Sequence, residues 1–175
     1  MGSQTVQYQL SGQGAFRLAG YEPSWDNPLT KGLQALFAQT RSNLLLDTWN
    51  QRMRRSISSE ENLRTALAAA PALATVFPSG PFGDQLKMIA RIVAARNLLG
   101  MKRQVFFAAL GGFDTHGGQA RDHPPLLAAL SKAMAAFYAA TMELGVAANV
   151  TTFTASEFGR TLRNNMMNLA AEPAV

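Results

Sequence analysis

Asp114 and His116 stand two residues apart, just after the turn-forming pair Gly111-Gly112. On an extended segment, residues i and i+2 point to the same side. One carboxylate oxygen and one imidazole nitrogen can therefore reach a single ion. That donor set suits zinc, or manganese where further carboxylates join. A pair needs help, because a zinc site usually draws a third ligand from the protein. Glu157, in Ser156-Glu157-Phe158-Gly159-Arg160-Thr161, is the natural candidate. Arg160 can hold an anionic oxygen through paired hydrogen bonds, and Ser156 or Thr161 can donate one more. Plainer roles fit the same residues. Asp114 can cap a turn, His116 can be a hydrogen-bonded loop histidine, and Glu157 with Arg160 can form a local ion pair. Spacing alone leaves both sets open. His123, in Asp122-His123-Pro124-Pro125, reads as a surface residue beside a helix start that Asp122 can cap.

Certain elements must position these groups. Gln104 to Leu110 is a continuous apolar run that reads as a strand buried on both faces. Asn149 to Ala155 is rich in β-branched residues and reads as a second strand. Between them, Pro124 to Leu144 carries Leu127, Leu130, Met134, Phe137 and Leu144 as a helical stripe, with Gly145 as its stop. Strand, helix, strand makes a βαβ unit with parallel strands and a right-handed crossover. Both carboxyl ends then share one edge of the sheet. With neighbouring strands about 4.8 Å apart, the two clusters face one cleft.

The N-terminal half reads as mainly helical. Residues 1–28 form a β-hairpin and loop entry around Ser11-Gly12-Gln13-Gly14. From Leu29 to Ile57, Leu33, Phe37, Leu45, Trp49, Met53 and Ile57 recur at multiples of four. Ser58-Ser59-Glu60-Glu61 resembles a capping box and predicts a new helix that ends before Pro71. Pro71 to Pro81 reads as loop. Phe82 to Leu99 reads as a helix closed by Gly100.

With 175 residues, 47% apolar and 15% charged, the chain suits a single domain with a real core. No apolar run reads as a membrane span, and no basic-then-apolar segment marks a signal peptide at the N-terminus. The absence of cysteine excludes disulfides, thiolate catalysis and Cys-ligated zinc. The net charge is +5, and Arg41, Arg52, Arg54, Arg55 and Arg64 supply much of it. No nucleic-acid motif and no interleaved aromatics accompany them, so they read as a solvated helix face. Neither a nucleic acid nor a membrane is expected as a partner.

Leu110-Gly111-Gly112-Phe113-Asp114-Thr115-His116, followed by Gln119, and Ser156-Glu157-Phe158-Gly159-Arg160-Thr161 together resemble a bacterial family called domain of unknown function 1501. Phe82-Gly83-Asp84-Gln85-Leu86-Lys87-Met88-Ile89-Ala90 is similar to that family as well. The resemblance covers roughly Ser11 to Asn165. It implies an α/β fold related to alkaline phosphatases and sulfatases, three-layered, with metals at the ends of a mostly parallel sheet. It implies Asp114 and His116 as metal ligands, with Glu157 and Arg160 lining the same site as catalytic groups. A small anionic ester would be the substrate, its phosphate or sulfate hydrolysed with a divalent metal, zinc or manganese. Family members are usually exported or periplasmic.

The chain departs from the family pattern at both ends. It has no early aspartate-containing strand and no Gly-Thr-Asp-His-Gly motif after Thr161, and residues 166–175 match nothing in the pattern. With two histidines in all, a two-metal site cannot be completed. The expectation is a fragment: one incomplete domain, inactive by itself, carrying a short parallel sheet with uncovered edges. Self-association through those edges is expected. A non-catalytic binding or scaffolding module is the alternative.

Overall fold

The structure, a computed structural model, describes residues 10–11, 14–15, 28–40 and 42–159. The first helix, α1, spans Pro28–Ala38, with proline in the position where its missing N–H costs nothing. The second, α2, spans Leu44–Ala69. Asn43 starts it by accepting from the Leu45 and Leu46 amides at 3.0 and 3.2 Å. The single helix expected from Leu29 to Ile57 is thus broken between Ala38 and Leu44. The predicted start at Ser58 does not occur. Ser58 to Glu61 lie inside α2, where the backbone amides already have helical partners and need no cap. The end falls where expected, because Pro71 forces Ala70 to an extended ψ of 149°. Phe37 meets Trp49 edge to face at 5.6 Å, and the buried Asn50 amide donates to the Gln39 carbonyl at 3.1 Å. These contacts fold α1 back onto α2.

Helix α3, Pro81–Ala94, is central. Leu86, Ile89, Ala90 and Val93 pack with Ala133, Phe137 and Ala140 of α4, which spans Gln119–Glu143. Met88 and Ile92 pack with Leu63 of α2. A helix apolar on both sides must be covered on both sides. Ala90, Ala133 and Ala140 are at most 1% exposed, so small side chains bring α3 and α4 close. α4 begins before the predicted Pro124, which places Pro124 and Pro125 inside the helix. By length and composition it is also apolar enough to cross a membrane, with a mean hydropathy of 1.2, against the expectation that no run is. Its alanine-rich stripe is occupied by α3. Arg52, Arg54 and Arg55 stand exposed along α2.

The expected parallel sheet is absent among the described residues. Among the described residues the one sheet is a two-residue antiparallel pair, Leu10–Ser11 against Gly14–Ala15, with Leu10 opposite Ala15. Residues 104–110 are extended but join no ladder. Ala147–Asn149 form a 3-10 turn, and residues 150–155 continue unpaired. The described residues therefore show no βαβ unit and no three-layer α/β architecture; they form a helical assembly with extended segments laid on it. The physical reason lies in what a parallel strand requires. Both its faces need cover and its edges need neighbours, and two runs cannot supply that to each other. Each run is held by helices instead. The Gln85 amide substitutes for a strand partner: its Nε2 donates to the Ala109 carbonyl at 3.1 Å, and its Oε1 accepts the Ala109 N–H at 3.0 Å. Val105, Phe107 and Phe153 stay 92%, 90% and 82% exposed.

Residues 71–78 are held in a similar way. The Glu143 carboxylate accepts the Ala74 N–H at 2.6 Å, the Thr75 N–H at 2.9 Å and the Thr75 hydroxyl at 2.6 Å. The hydroxyl bond, then the two amide bonds, hold this carboxyl below its ordinary value of 4.5. A lowered folded-state value means the stabilisation is complete above 4.5 and is lost as pH falls through the folded value. Glu143→Gln is expected to melt below the wild type at pH 7. Thermal melts across an acid series should show the gap closing below 4.5. A gap independent of pH would mean that the clamp is not ionic.

Candidate functional site

The site residues sit on the loop between the extended run and α4. Gly112 turns the chain with a φ of +96°, and Leu126 leaves little room for a side chain there. The Thr115 N–H donates to the Phe113 carbonyl at 3.0 Å, closing a three-residue turn. Gly118, at φ +69°, then caps α4. This loop presents Asp114 and His116 outward, with side chains 68% and 88% exposed. Asp114 Oδ1 and His116 Nδ1 are 3.1 Å apart.

That separation tests whether a metal fits. Two ligands about 2.1 Å from one ion, at angles between octahedral and tetrahedral, are about 3.0–3.4 Å apart. The 3.1 Å contact is that of an imidazole–carboxylate pair, and the same separation is compatible with two neighbouring ligands on one ion, for which oxygen with imidazole nitrogen is a suitable donor set. Among the described residues, no group of three or more His, Asp or Glu side chains can hold a metal. Glu157 is described and exposed but completes no such group. Arg160 lies outside the described residues.

Behind the pair, α4 supplies a support that sequence reasoning missed. His123 is half-buried and stacks edge to face on Phe113 with ring centres 5.5 Å apart. Its Nε2 lies 3.3 Å from the Phe113 carbonyl and 3.3 Å from the Thr115 hydroxyl. Its Nδ1 lies 3.3 Å from the Gln119 amide nitrogen. The signal in the sequence was the i, i+4 spacing of Gln119 and His123, hidden while the helix was started at Pro124. Asp122 sits in the first turn of α4, and Arg121 grips it from Nε to Oδ1 at 2.7 Å and from Nη2 to Oδ2 at 3.1 Å. The Arg121 hydrogen bond holds the Asp122 carboxyl below its ordinary value.

The family model for proteins of unknown function DUF1501 matches residues 32–168, a span that includes the loop, its helical support and the Ser156 to Thr161 stretch. The chain belongs to the DUF1501 family. No curated protein and no solved structure matches it. Two of the segments that carry the family resemblance now have physical roles in this DUF1501 protein. Gln85 anchors the run leading into the glycine turn, and Gly112 makes that turn. Membership makes this an uncharacterised family protein and carries no reaction with it.

Proposed function

We propose that the Asp114–His116 pair is a divalent-metal half-site, and that the chemistry it serves is hydrolysis of a phosphate or sulfate ester. The observation supporting this is the 3.1 Å convergence of a carboxylate oxygen and an imidazole nitrogen at the end of a glycine turn. When bound, a zinc or manganese ion supplies a Lewis acid and a source of hydroxide. The chain's part is to orient. The Phe113–Thr115 turn fixes the spacing of the two donors, and Gln85 holds the approach to it. In the same reading Glu157 is ligand or base and Arg160 is the guanidinium for the ester's anionic oxygens; both roles rest on the family motif.

Zinc titration of the 175-residue chain, followed by calorimetry, is expected to give one ion per chain. Asp114→Ala and His116→Ala are each expected to weaken it by more than about tenfold, since outer-shell losses alone reach that size. Unchanged binding in both variants sinks the proposal. The second reading is a non-catalytic binding module, favoured by the lack of a third ligand among the described residues. Turnover of p-nitrophenyl phosphate or sulfate that is lost in Asp114→Ala supports the hydrolase. Metal binding without turnover is the result expected of the module and equally of a hydrolase half-site inactive by itself.

A further inference from the structure

We propose that one face of α2, formed by Leu44, Leu45 and Trp49 with Arg52 and Arg55, is a docking surface for an anionic lipid bilayer. The inference goes beyond the Asp114–His116 reading and does not rest on it. It starts from the helical period. At about 100° per residue, Leu45, Trp49 and Arg52 fall on one stripe of α2, and Leu44 and Arg55 flank it on the same side. Leu44, Leu45 and Trp49 are 77%, 79% and 51% exposed. Large apolar groups gathered in the open on one helix face mark an interaction surface. The packed side is the opposite one, where the buried Asn50 donates to the Gln39 carbonyl. Charge names the occupant. Residues 28–57 hold five basic side chains and one acidic, Asp47, which falls on the far side of α2 with Arg54. Among the described residues Arg52 and Arg55 enter no ion pair, so an outside anion can take their charge. The order along the axis also fits. The apolar groups occupy the first turns of α2, and Arg52 follows Leu45 by about 10 Å. Leucine and indole then meet the acyl boundary while the guanidinium groups reach lipid phosphates. A nucleic acid would use the arginines and leave the leucines idle. A second copy docked through the same face would set one basic surface against another. The sequence reading of these arginines as a solvated face left out the exposed leucines that precede them.

The test is sedimentation of the 175-residue chain with vesicles of phosphatidylcholine alone, or of phosphatidylcholine mixed equally with phosphatidylglycerol. Wild type is expected to sediment with the mixed vesicles and to stay in solution with phosphatidylcholine alone. Arg52→Gln with Arg55→Gln is expected to weaken binding about 30-fold, or about fivefold for each charge near the surface. Leu44→Ser with Leu45→Ser is expected to weaken it by more than about tenfold, since several CH₂ groups no longer enter lipid. Arg54→Gln removes the same charge from the far side and is expected to stay within about twofold of wild type, because screening acts across the width of the helix. All of these side chains are exposed, so thermal melts are expected to match the wild type. If the leucine variant fails to fold, the difference between the arginine variants decides. Absence of binding to mixed vesicles overturns the proposal. Equal weakening per charge at Arg54 and at Arg52 and Arg55 overturns it too, since net charge would then act without a face. Vesicle binding that needs the arginines but not the leucines overturns it in favour of a general polyanion surface, which retention of duplex DNA would identify. Dimers that the leucine variant separates, with no vesicle binding, overturn it in favour of a second copy.

Discussion

Replacing Phe137 by alanine is expected to cost about 3–5 kcal/mol of stability, the range for deleting a buried aromatic. For a chain of this size that corresponds to a fall in Tm of roughly 6–20 °C. Phe137 is 6% exposed and lies in the cluster that joins α3 to α4, with Leu86, Ile89, Ala90, Val93, Ala133, Ala140 and Val146. Two terms add: the ring's favourable transfer out of water is lost, and a cavity remains unless neighbours move in. Collapse is hindered here because three of those neighbours are alanines, with no side-chain length to extend into a void. The same ring also lines a hollow with Val150 and Thr152, so its removal loosens the extended segment laid on α4. Leu127, on the same helix but 52% exposed, supplies the contrast; its change to alanine is expected to stay within about 0.5 kcal/mol. Urea denaturation of the two variants checks both values. A loss below about 1 kcal/mol for Phe137→Ala would show that α3 and α4 can close over the gap.

The helices were legible because helical order is local. Leu86, Ile89, Ala90 and Val93 announce one face of α3 by spacing alone, and that face is buried. Pro71 and Gly145 stop helices where their backbone chemistry requires. Boundaries failed where two start signals competed. Asn43 carried the cap, and the hydroxyl-carboxylate pattern at Ser58 to Glu61 was absorbed into a longer helix. The strands failed for a different reason. An apolar run such as Val105 to Leu110 shows that burial is favourable, but pairing is a relation between distant segments and leaves no mark within either. Here the partner of Ala109 is a glutamine side chain. The candidate site divides along the same line. The convergence of Asp114 and His116 follows from an i, i+2 spacing and is present. The approach of Glu157 was expected from the sheet, and among the described residues Glu157 joins no group of three such side chains. His123 was read as a surface residue because its helix was started one turn late; starting at Gln119 puts it one turn in, facing the loop.

Gly83→Ala is the sharpest test of how α3 is seated. A β-carbon built on Gly83 would stand 1.9 Å from the Pro78 carbonyl oxygen and 3.0 Å from its carbon. The obstruction is main chain, so no rotamer change relieves it. Either the first turn of α3 or the Pro78-Ser79-Gly80 segment must shift. The expected loss is about 3 kcal/mol or more, the upper end for overpacking, or roughly 6–12 °C in Tm. The shift would not stay local. Pro78 continues the segment that Glu143 holds at Ala74 and Thr75, and Gln85, two residues beyond Gly83, holds Ala109. Displacing that turn therefore loosens both extended segments and reaches the glycine turn before Asp114. A matched control exists in α1. Gly32 has nothing within 4 Å of an added β-carbon and sits in a helix interior, where alanine is preferred. Gly32→Ala is expected to stabilise the chain by about 0.5–1 kcal/mol. One substitution type with opposite signs at two helical glycines separates close approach from backbone propensity. A Gly83→Ala variant that melts with the wild type would mean that α3 does not rest on the Pro78 carbonyl, and that the seat inferred for Gln85 and the extended segment it holds is wrong.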